Sequence, residues 1–429
     1  MARLKSLGSG ALLAAGNVYA ALSTFVVLSI VFNSVDLRTF GAISLLLTSV
    51  AICQILFNTQ SWQGLLNSAV PAGTGLLRRC LAIDVTTAAM GATLLALTHL
   101  AFPRALSQDV EAPATLLWLA VNVALIPPGA LIAVIRQEGR FAQQALVDIS
   151  ASTLKIAMAL VLVRGATSLA SVALTLVLPE VLRWCGYLAL SSARLARRDE
   201  GPAAGRVDTA SPSTLRSIYG FSLWGMLTEI IHLPTAHIDK LLVSALLGLE
   251  SLAIWDILKR CATAVVQATT VINQMLFPYF VRIRHQSTVA NLARQCLRQC
   301  LLLGGLLLLL YGAATLALPI WFPLAFHVDT AAWPLDHLQR IFGVLALVMT
   351  FVLGATPVHP LFLSLRHSSQ SFRISLVGSV LFFALSALLL PWWGLFGASL
   401  AILGSDAFII LTKARLLHLT AVASRATDA

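Results

Sequence analysis

The chain is a series of long apolar runs separated by short polar gaps. Each run is about 20 residues long, which is the length of helix that crosses the hydrocarbon core of a bilayer. The runs are continuous rather than alternating, which favours helices over the strands of a membrane barrel. The pattern predicts about twelve membrane-spanning helices, at 11–33, 41–60, 80–102, 114–135, 146–164, 168–192, 217–247, 251–280, 298–321, 340–363, 372–391 and 394–416.

Composition supports the same fold class. The 429 residues are 58% hydrophobic and only 11% charged, and the mean hydropathy is +0.86. Soluble domains carry about 25% charged residues, so there is too little polar surface here for a soluble protein of this size. In lipid, helices satisfy their own backbone hydrogen bonds. We therefore predict an all-α, polytopic integral membrane protein.

The longest polar gap lies near the middle of the chain. Residues 193–216 are rich in Gly, Pro, Ser and alternating charges, which is typical of a flexible surface linker. The pattern predicts an N-terminal six-helix half at 1–192 and a C-terminal six-helix half at 217–429. Alignment of Phe40-Gly41 with Leu252-Ala253 indicates that the two halves are similar, as in transporters built from parallel repeats.

Basic residues are distributed unequally between alternate gaps. One set of gaps holds only Arg38, Arg104, Arg164 and Arg340. Five basic residues lie well inside the predicted spans, more than three residues from either end, namely Lys155, Arg183, Lys240, Lys259 and Arg260. The other 20 of the 29 Lys and Arg lie at the termini, in the linker, and in or at the edges of the remaining gaps. Because cytoplasmic loops carry the excess of Lys and Arg, we predict that both termini and the linker are cytoplasmic. The net charge of +11 thus reflects membrane topology, and no nucleic-acid partner is expected.

A polar stripe on the span predicted at 251–280 is the strongest candidate for chemistry. Its members recur at steps of three and four, apart from one adjacent pair: Asp256, Lys259, Arg260, Thr263, Gln267, Thr270 and Gln274. They fall within a sector of about 100° and extend over about 27 Å. The Asp256–Arg260 pair at i,i+4 offsets part of the cost of buried charge. The stripe is either locked in a dry bundle or lines a water-filled cavity, and its length favours the cavity.

Other predicted spans carry isolated polar groups. Lys155 lies deep in its span, where a lysine usually faces a cavity. Glu229 and His232 precede the helix-bending Pro234 and either carry protons or only form hydrogen bonds within the bundle. Asp239, beside Lys240, lies near the predicted external end, where snorkelling would suffice.

These residues fall into three predicted roles. Lys155, Lys259 and Arg260 are candidates for binding an anionic group such as a phosphate. The candidates for lining a polar cavity are Asn17, Gln54, Asn58, Gln267, Thr270 and Gln274, of which the first three fit ordinary interhelical hydrogen bonds equally well. The candidates for ion coupling are Asp148, Glu229, His232, Asp239, Asp256 and Asp406.

The sequence lacks the motifs that would indicate an enzyme. It has no Walker A loop, no G-x-S-x-G motif and no convincing His/Cys metal spacing. Glu229 and His232 have the i,i+3 spacing of a carboxylate-bridged metal motif, but such a site needs a second copy. We expect no catalytic residues, metal or cofactor.

Three segments carry a family resemblance: "QSWQGLLN" (Gln60–Asn67), "RQEGRFAQQALVD" (Arg136–Asp148) and "DKLLVSALLGLESLAIWDILKR" (Asp239–Arg260). They resemble the corresponding segments of bacterial polysaccharide flippases. Their order and spacing carry the resemblance over most of the chain, from Ser9 to about Leu417. Leu249 stands where the family often has Pro, which should loosen a turn without changing the class.

The resemblance implies an oligosaccharide flippase of the multidrug/oligosaccharidyl-lipid/polysaccharide exporter superfamily in the bacterial inner membrane. The implied substrate is a polyprenyl-diphosphate-linked oligosaccharide, moved by alternating access from the cytoplasmic to the periplasmic leaflet for lipopolysaccharide or exopolysaccharide biosynthesis. The implied partners are membrane lipids and the polysaccharide polymerase and export proteins. Two alternatives remain open: a cation-coupled multidrug exporter of the same superfamily, and a non-transporting scaffold of a polysaccharide assembly complex. The basic groups inside the predicted spans favour an anionic substrate over a cationic drug.

The predicted topology can be tested with reporter fusions. Green fluorescent protein fused after Gly205 should fluoresce, and alkaline phosphatase fused there should be inactive, because the linker is predicted to be cytoplasmic. Fusions after Val35, in the first external gap, should give the opposite pair of results. Active phosphatase at both positions would contradict the predicted orientation.

Overall fold

The computed structural model describes residues 2–67, 73–101, 120–163, 169–196, 214–266, 276, 280, 289–365 and 368–428. Within these residues the regular structure is entirely helical. The chain forms two compact units, Met1–Ile230 and Ile231–Ala429. The linker predicted at 193–216 lies largely outside the described residues, so the predicted division into halves stays a prediction.

The N-terminal unit is built from long helices and two short ones. Its described helices are α1 (Ala2–Phe32), α2 (Leu37–Phe57), α3 (Ser61–Asn67), α4 (Thr74–Ala101), α5 (Gly129–Gln137), α6 (Phe141–Met158) and α7 (Leu169–Ala196). A π-helical turn, Ala159–Val163, extends α6. Helix α8 (Leu215–Leu233) begins in this unit.

The C-terminal unit begins with a π-helical turn at Pro234–Ile238, after the last residues of α8. Its described helices are α9 (Asp239–Leu247), α10 (Leu249–Thr263), α11 (Val289–Leu316), α12 (Leu318–Ala325), α13 (Leu335–Gly354), α14 (Val358–Ser364) and α15 (Ser368–Asp428). Helix α15 is kinked at Gly394, whose φ is 56°. The span predicted at 217–247 is therefore α8, a π-helical turn and α9, rather than one regular helix.

The fold class predicted from the sequence is confirmed. Nine helices among the described residues are long and apolar enough to cross a membrane. The last of them, Ser369–Thr420, contains both spans predicted at 372–391 and 394–416, separated by the kink at Gly394. The spans predicted at 114–135 and 251–280 lie partly outside the described residues.

Two spans of the N-terminal unit are broken near one end. Helix α2 stops at Phe57, and α3 follows a turn in which Gln60 has a φ of 49°. A second break, after helical residues 120–124, contains Pro127 and Pro128 and leads into α5; proline cannot donate the hydrogen bond that would continue a helix. The two short segments are packed closely, since a Cβ on Gly129 would lie 2.5 Å from the Ser61 hydroxyl.

The buried carboxylate of Asp84, on α4, joins these broken helices. It accepts hydrogen bonds from the hydroxyls of Thr59 and Ser61, the latter at 2.6 Å, and from the backbone N–H of Ala130 at 3.0 Å. The hydroxyl of Tyr219, on α8, lies 3.4 Å away. An anion at the start of α3 and α5 is favourable because helix N-termini present unpaired N–H groups.

Two of the segments that carry the family resemblance also meet at this end of the N-terminal unit. The guanidinium carbon of Arg136 lies 4.9 Å from the ring centroid of Trp62, a cation–π arrangement. The side-chain amide of Gln137 donates to the carbonyl of Leu65 at 3.1 Å. Residues that are far apart in the sequence thus stabilise the same pair of short helices.

The contacts of Asp84 predict that its loss lowers the free energy of unfolding more than the loss of Asp36 does. Asp84→Ala should lower the free energy of unfolding by at least about 2 kcal/mol, because several buried donors lose their acceptor. Asp36, the exposed N-cap of α2, is the control; the Thr39 hydroxyl lowers the pKa of Asp36, and Asp36→Ala should cost about 1 kcal/mol. Thermal unfolding in detergent measures both changes, and equal losses would contradict the central role of Asp84.

Candidate functional site

Lys155 lies between α6 and α1 in the N-terminal unit. Its ammonium group donates to the hydroxyl of Thr24 at 3.4 Å. On the same pair of helices, the hydroxyls of Tyr19 and Thr153 are hydrogen-bonded at 2.9 Å. The side chain of Lys155 is half-buried, so its charge is held close to the protein without being fully enclosed.

Asp148, also on α6, belongs to a separate charged cluster with α7. The Arg183 guanidinium Nε lies 3.1 Å from its carboxylate, and the Tyr187 hydroxyl donates to it at 2.8 Å. Arg183 also pairs with Glu180 at 2.6 Å. Two carboxylates thus share one guanidinium and leave one net negative charge, and Asp148 is an ion-paired group rather than an isolated one.

Two of the polar candidates on the first two spans form hydrogen bonds within the N-terminal unit, and the third is half-buried. The Gln54 amide donates to the side-chain oxygen of Asn122 at 2.9 Å. Asn58 accepts from the backbone N–H of Gln60 at 3.0 Å and so caps the turn between α2 and α3. Asn17 is half-buried on α1.

The C-terminal unit contains a buried charge network between α9 and α10. Asp256 is fully buried and has two cationic partners. The Lys240 ammonium lies 2.5 Å from one carboxylate oxygen, and the Arg260 guanidinium Nε lies 2.8 Å from the other. The i,i+4 pair that the sequence predicted is therefore part of a three-residue cluster that links two helices.

Lys259 is the second junction of this network. Its ammonium group donates to the backbone carbonyls of Thr235 and Ala236, at 2.7 and 3.0 Å, and to the Asp239 carboxylate at 2.8 Å. These three acceptors occupy the three N–H donors of a lysine. The two carbonyls belong to the π-helical turn that begins at Pro234, and such turns are frequent at functional sites. Lys259 therefore stabilises the irregular backbone of the bend.

Arg260 is the most exposed cation of the network. Its side chain is 25% exposed, against 8% for Lys240 and Lys259. Asp256 holds its Nε, and among the described residues neither of its Nη nitrogens has a hydrogen-bond partner. The three cations of the network outnumber its two ion-paired carboxylates, and Arg260 is the cation nearest the surface of the C-terminal unit.

The other sequence candidates are placed apart from this network or fall outside the described residues. Glu229 is exposed on α8, and His232 is half-buried within electrostatic range of Lys413. Asp406, half-buried on α15, lies within electrostatic range of Lys259 and forms no ion pair with another described residue. Gln267, Thr270 and Gln274 lie outside the described residues. In the part of the chain that the structure describes, no three His, Cys, Asp or Glu side chains could hold a metal ion.

Sequence reasoning missed several residues that organise the two units. Asp84 is a single acidic residue in an apolar span, so no periodic pattern marks it. The Lys240–Asp256 pair did carry a signal, because each residue lies eight positions from Gly248. Gly248 has a φ of 87° and separates α9 from α10. Two helices that reverse at this glycine bring residues at equal distances from it to the same height.

Comparisons with known proteins agree with this architecture. A family model described as "Polysaccharide biosynthesis protein" matches residues 37–319, about two thirds of the chain. An inward-facing MATE-family multidrug resistance transporter of the MOP superfamily has a TM-score of 0.71, with 13% identity and 96% of each chain covered.

Two further solved structures resemble this chain. The lipid II flippase MurJ, in an inward closed conformation, has a TM-score of 0.64 at 9% identity, over 96% of this chain and 86% of its own. A point mutant of the Vibrio cholerae MATE transporter VcmN has a TM-score of 0.63 at 13% identity, over 98% of both chains. At such identities the likeness concerns the fold alone. No curated protein matches the sequence.

The charge network predicts unequal effects of its two neighbouring cations on stability. Lys259→Ala should lower the free energy of unfolding by about 3–5 kcal/mol, because it leaves the buried Asp239 carboxylate without a cation. Arg260→Ala should cost clearly less, since Asp256 keeps Lys240. Thermal unfolding of the purified variants checks the order, and a larger loss for Arg260→Ala would contradict the assigned roles.

Proposed function

This chain belongs to the polysaccharide biosynthesis protein family, within the multidrug/oligosaccharidyl-lipid/polysaccharide exporter superfamily, and from that membership we propose that it is a flippase. It moves a polyprenyl-diphosphate-linked oligosaccharide from the cytoplasmic to the periplasmic leaflet of the bacterial inner membrane by alternating access. Its product enters lipopolysaccharide or exopolysaccharide assembly. The protein itself catalyses no bond change and needs no cofactor.

The arrangement of Arg260 is the observation that supports an anionic substrate best. Its guanidinium is fixed at Nε by Asp256, while its two Nη groups have no partner among the described residues. A guanidinium offers parallel N–H donors that match the oxygens of a phosphate. The three cations of the network outnumber its two ion-paired carboxylates, which favours an anionic ligand at Arg260.

The other two candidate cations, Lys155 and Lys259, have different proposed roles. Lys155, half-buried beside Thr24, stays a candidate phosphate-binding residue of the N-terminal unit. Lys259 stays in the cationic set, but its main part is to hold the bend at Pro234, since its donors are occupied in this structure. We assign the glycan to polar side chains of the predicted cavity, namely Asn17, Gln54, Asn58, Gln267, Thr270 and Gln274.

The candidate residues for ion coupling differ in whether a cation already occupies them. Asp148, Asp239 and Asp256 all have ion-pair partners, so a proton or Na⁺ would have to displace a cation there. Asp406 forms no ion pair with another described residue and lies near Lys259, which makes it the favoured candidate. Glu229 and His232 on α8 are the alternatives.

Complementation of a flippase-deficient bacterial strain tests the proposal. Expression of this chain should restore surface polysaccharide and lower the lipid-linked oligosaccharide in the cytoplasmic leaflet. Arg260→Gln should reduce the amount of restored surface polymer at least about tenfold. A tenfold change corresponds to a loss of about 1.4 kcal/mol in the free energy of substrate binding. Arg373→Gln removes an exposed arginine of α15 and should leave the activity unchanged.

Membrane levels of all variants are measured in parallel, so that a folding defect is not read as lost transport. Full activity of Arg260→Gln would contradict the diphosphate contact. Failure of the wild-type chain across several glycan types, at normal membrane level, would contradict the flippase assignment. A drug-resistance assay would then test the multidrug exporter alternative.

A further inference from the structure

An apolar groove lies on the C-terminal unit between α11, α13 and the last part of α15. Its volume is about 750 Å³, and its lining is mainly aliphatic side chains and glycine. Leu301 and Leu308, on its α11 wall, are 68% and 55% exposed, so the groove is open along its side. We propose that this groove is an entry site that binds the isoprenoid chain of a polyprenyl phosphate, with the phosphate at Arg294 and His418, and that the diphosphate contact at Arg260 belongs to a later step of transport. The inference rests on the proposed function and adds a site for the lipid part of the substrate.

Glycines shape the floor of the groove. A Cβ on Gly354 of α13 would lie 2.9 Å from the Cα of Gly304 on α11, so the two helices cross almost backbone to backbone. Small residues permit this close approach of helices in a membrane. A Cβ on the adjacent Gly305 would meet nothing within 4 Å, which leaves space beside the crossing that neither helix fills.

The length of the groove favours a long hydrocarbon chain. Its α11 wall runs from Ala290 to Leu308, and the part from Arg294 to Leu308 corresponds to about 21 Å along a helix. One leaflet contributes about 15 Å of hydrocarbon core. A groove that starts at the interface and extends beyond the midplane suits a chain longer than one leaflet. An isoprenoid chain is long enough to continue past the far end of the groove, whereas the acyl chain of a phospholipid ends within it or near its far end.

Among the described residues that line the groove, charge is present only at one end. Arg294 is exposed near the start of α11, and His418 is exposed near the end of α15. Neither side chain forms an ion pair with another described residue. The opposite end is lined by Leu308 and Leu347. A ligand with an anionic head at the Arg294 end and a long apolar tail matches this polarity. The distribution of Arg and Lys along the sequence predicts that this end of the groove is cytoplasmic. The proposed substrate also starts on the cytoplasmic side.

Photolabelling of the full chain in lipid nanodiscs tests the groove directly. The probe is a diazirine-bearing polyprenyl phosphate with a long isoprenoid chain, and labelled peptides are mapped by mass spectrometry. We expect labelling on α11 and α13 of the groove. Gly305→Leu fills the open space and should reduce this labelling about tenfold, because a leucine side chain occupies the volume that the chain needs. Gly312→Leu, on the same helix and with equally open surroundings outside the groove, should leave it unchanged.

The head-group contact has its own pair of variants. Arg294→Gln should weaken labelling severalfold, whereas Arg298→Gln, on the same helix but outside the groove lining, should not. Excess unlabelled polyprenyl phosphate should compete with the probe, and excess phosphatidylglycerol should not. Equal competition by phosphatidylglycerol, or labelling that Gly305→Leu leaves intact, would overturn the inference.

The labelling requires binding only, so its outcome is separable from that of the transport assay. Groove labelling as expected together with failed complementation would keep the lipid site and reject the proposed flipping. Restored surface polysaccharide with labelling outside the groove would keep the flippase and reject this site.

Discussion

The contact of Lys259 with the bent backbone at Pro234 is the interaction on which the C-terminal unit depends. A membrane offers no water to an unpaired carbonyl, so irregular backbone at that depth needs a protein partner. Lys259 supplies one to Thr235 and Ala236, and Asp239 neutralises the charge that this requires. The Trp255 indole donates to the same carboxylate at 2.7 Å. One irregular turn thus determines which charged residues must be buried around it.

The N-terminal unit solves the same problem with a different chemistry. Its broken helices begin against the carboxylate of Asp84, whose partners are hydroxyls and a backbone N–H rather than cations. Helix N-termini carry partial positive charge, so an anion can be stabilised there without a lysine or arginine. Both units therefore contain interrupted spans. Among the described residues, ion-paired side chains stabilise the break in the C-terminal unit, and a single carboxylate stabilises those in the N-terminal unit.

The sequence predicted the spans well and the partners of the buried charges poorly. Apolar runs report the length that crosses a bilayer, and the i,i+4 rule finds Asp256 with Arg260 because both lie on one helix. The i,i+4 rule cannot find the ion pair between Lys259 and Asp239, since that contact depends on how α9 and α10 pack. Sequence alone therefore assigns Lys259 to an anionic substrate, whereas its partners in the structure are two carbonyls and a carboxylate. Asp84 has no such pattern around it because its partners come from several other segments.

The position of Gly248 also limits how the turn between α9 and α10 can vary. Loops between helices ordinarily tolerate insertions and deletions. Here one residue added in the first turn of α10 would place every later residue of α10 one helical position further along, a rotation of about 100° and a shift of about 1.5 Å. Asp256 and Arg260 would move together, because both lie on α10. The buried Lys240 on α9 would then lose its counter-ion Asp256. The length of this turn is therefore as much a part of the charge network as the charged side chains themselves.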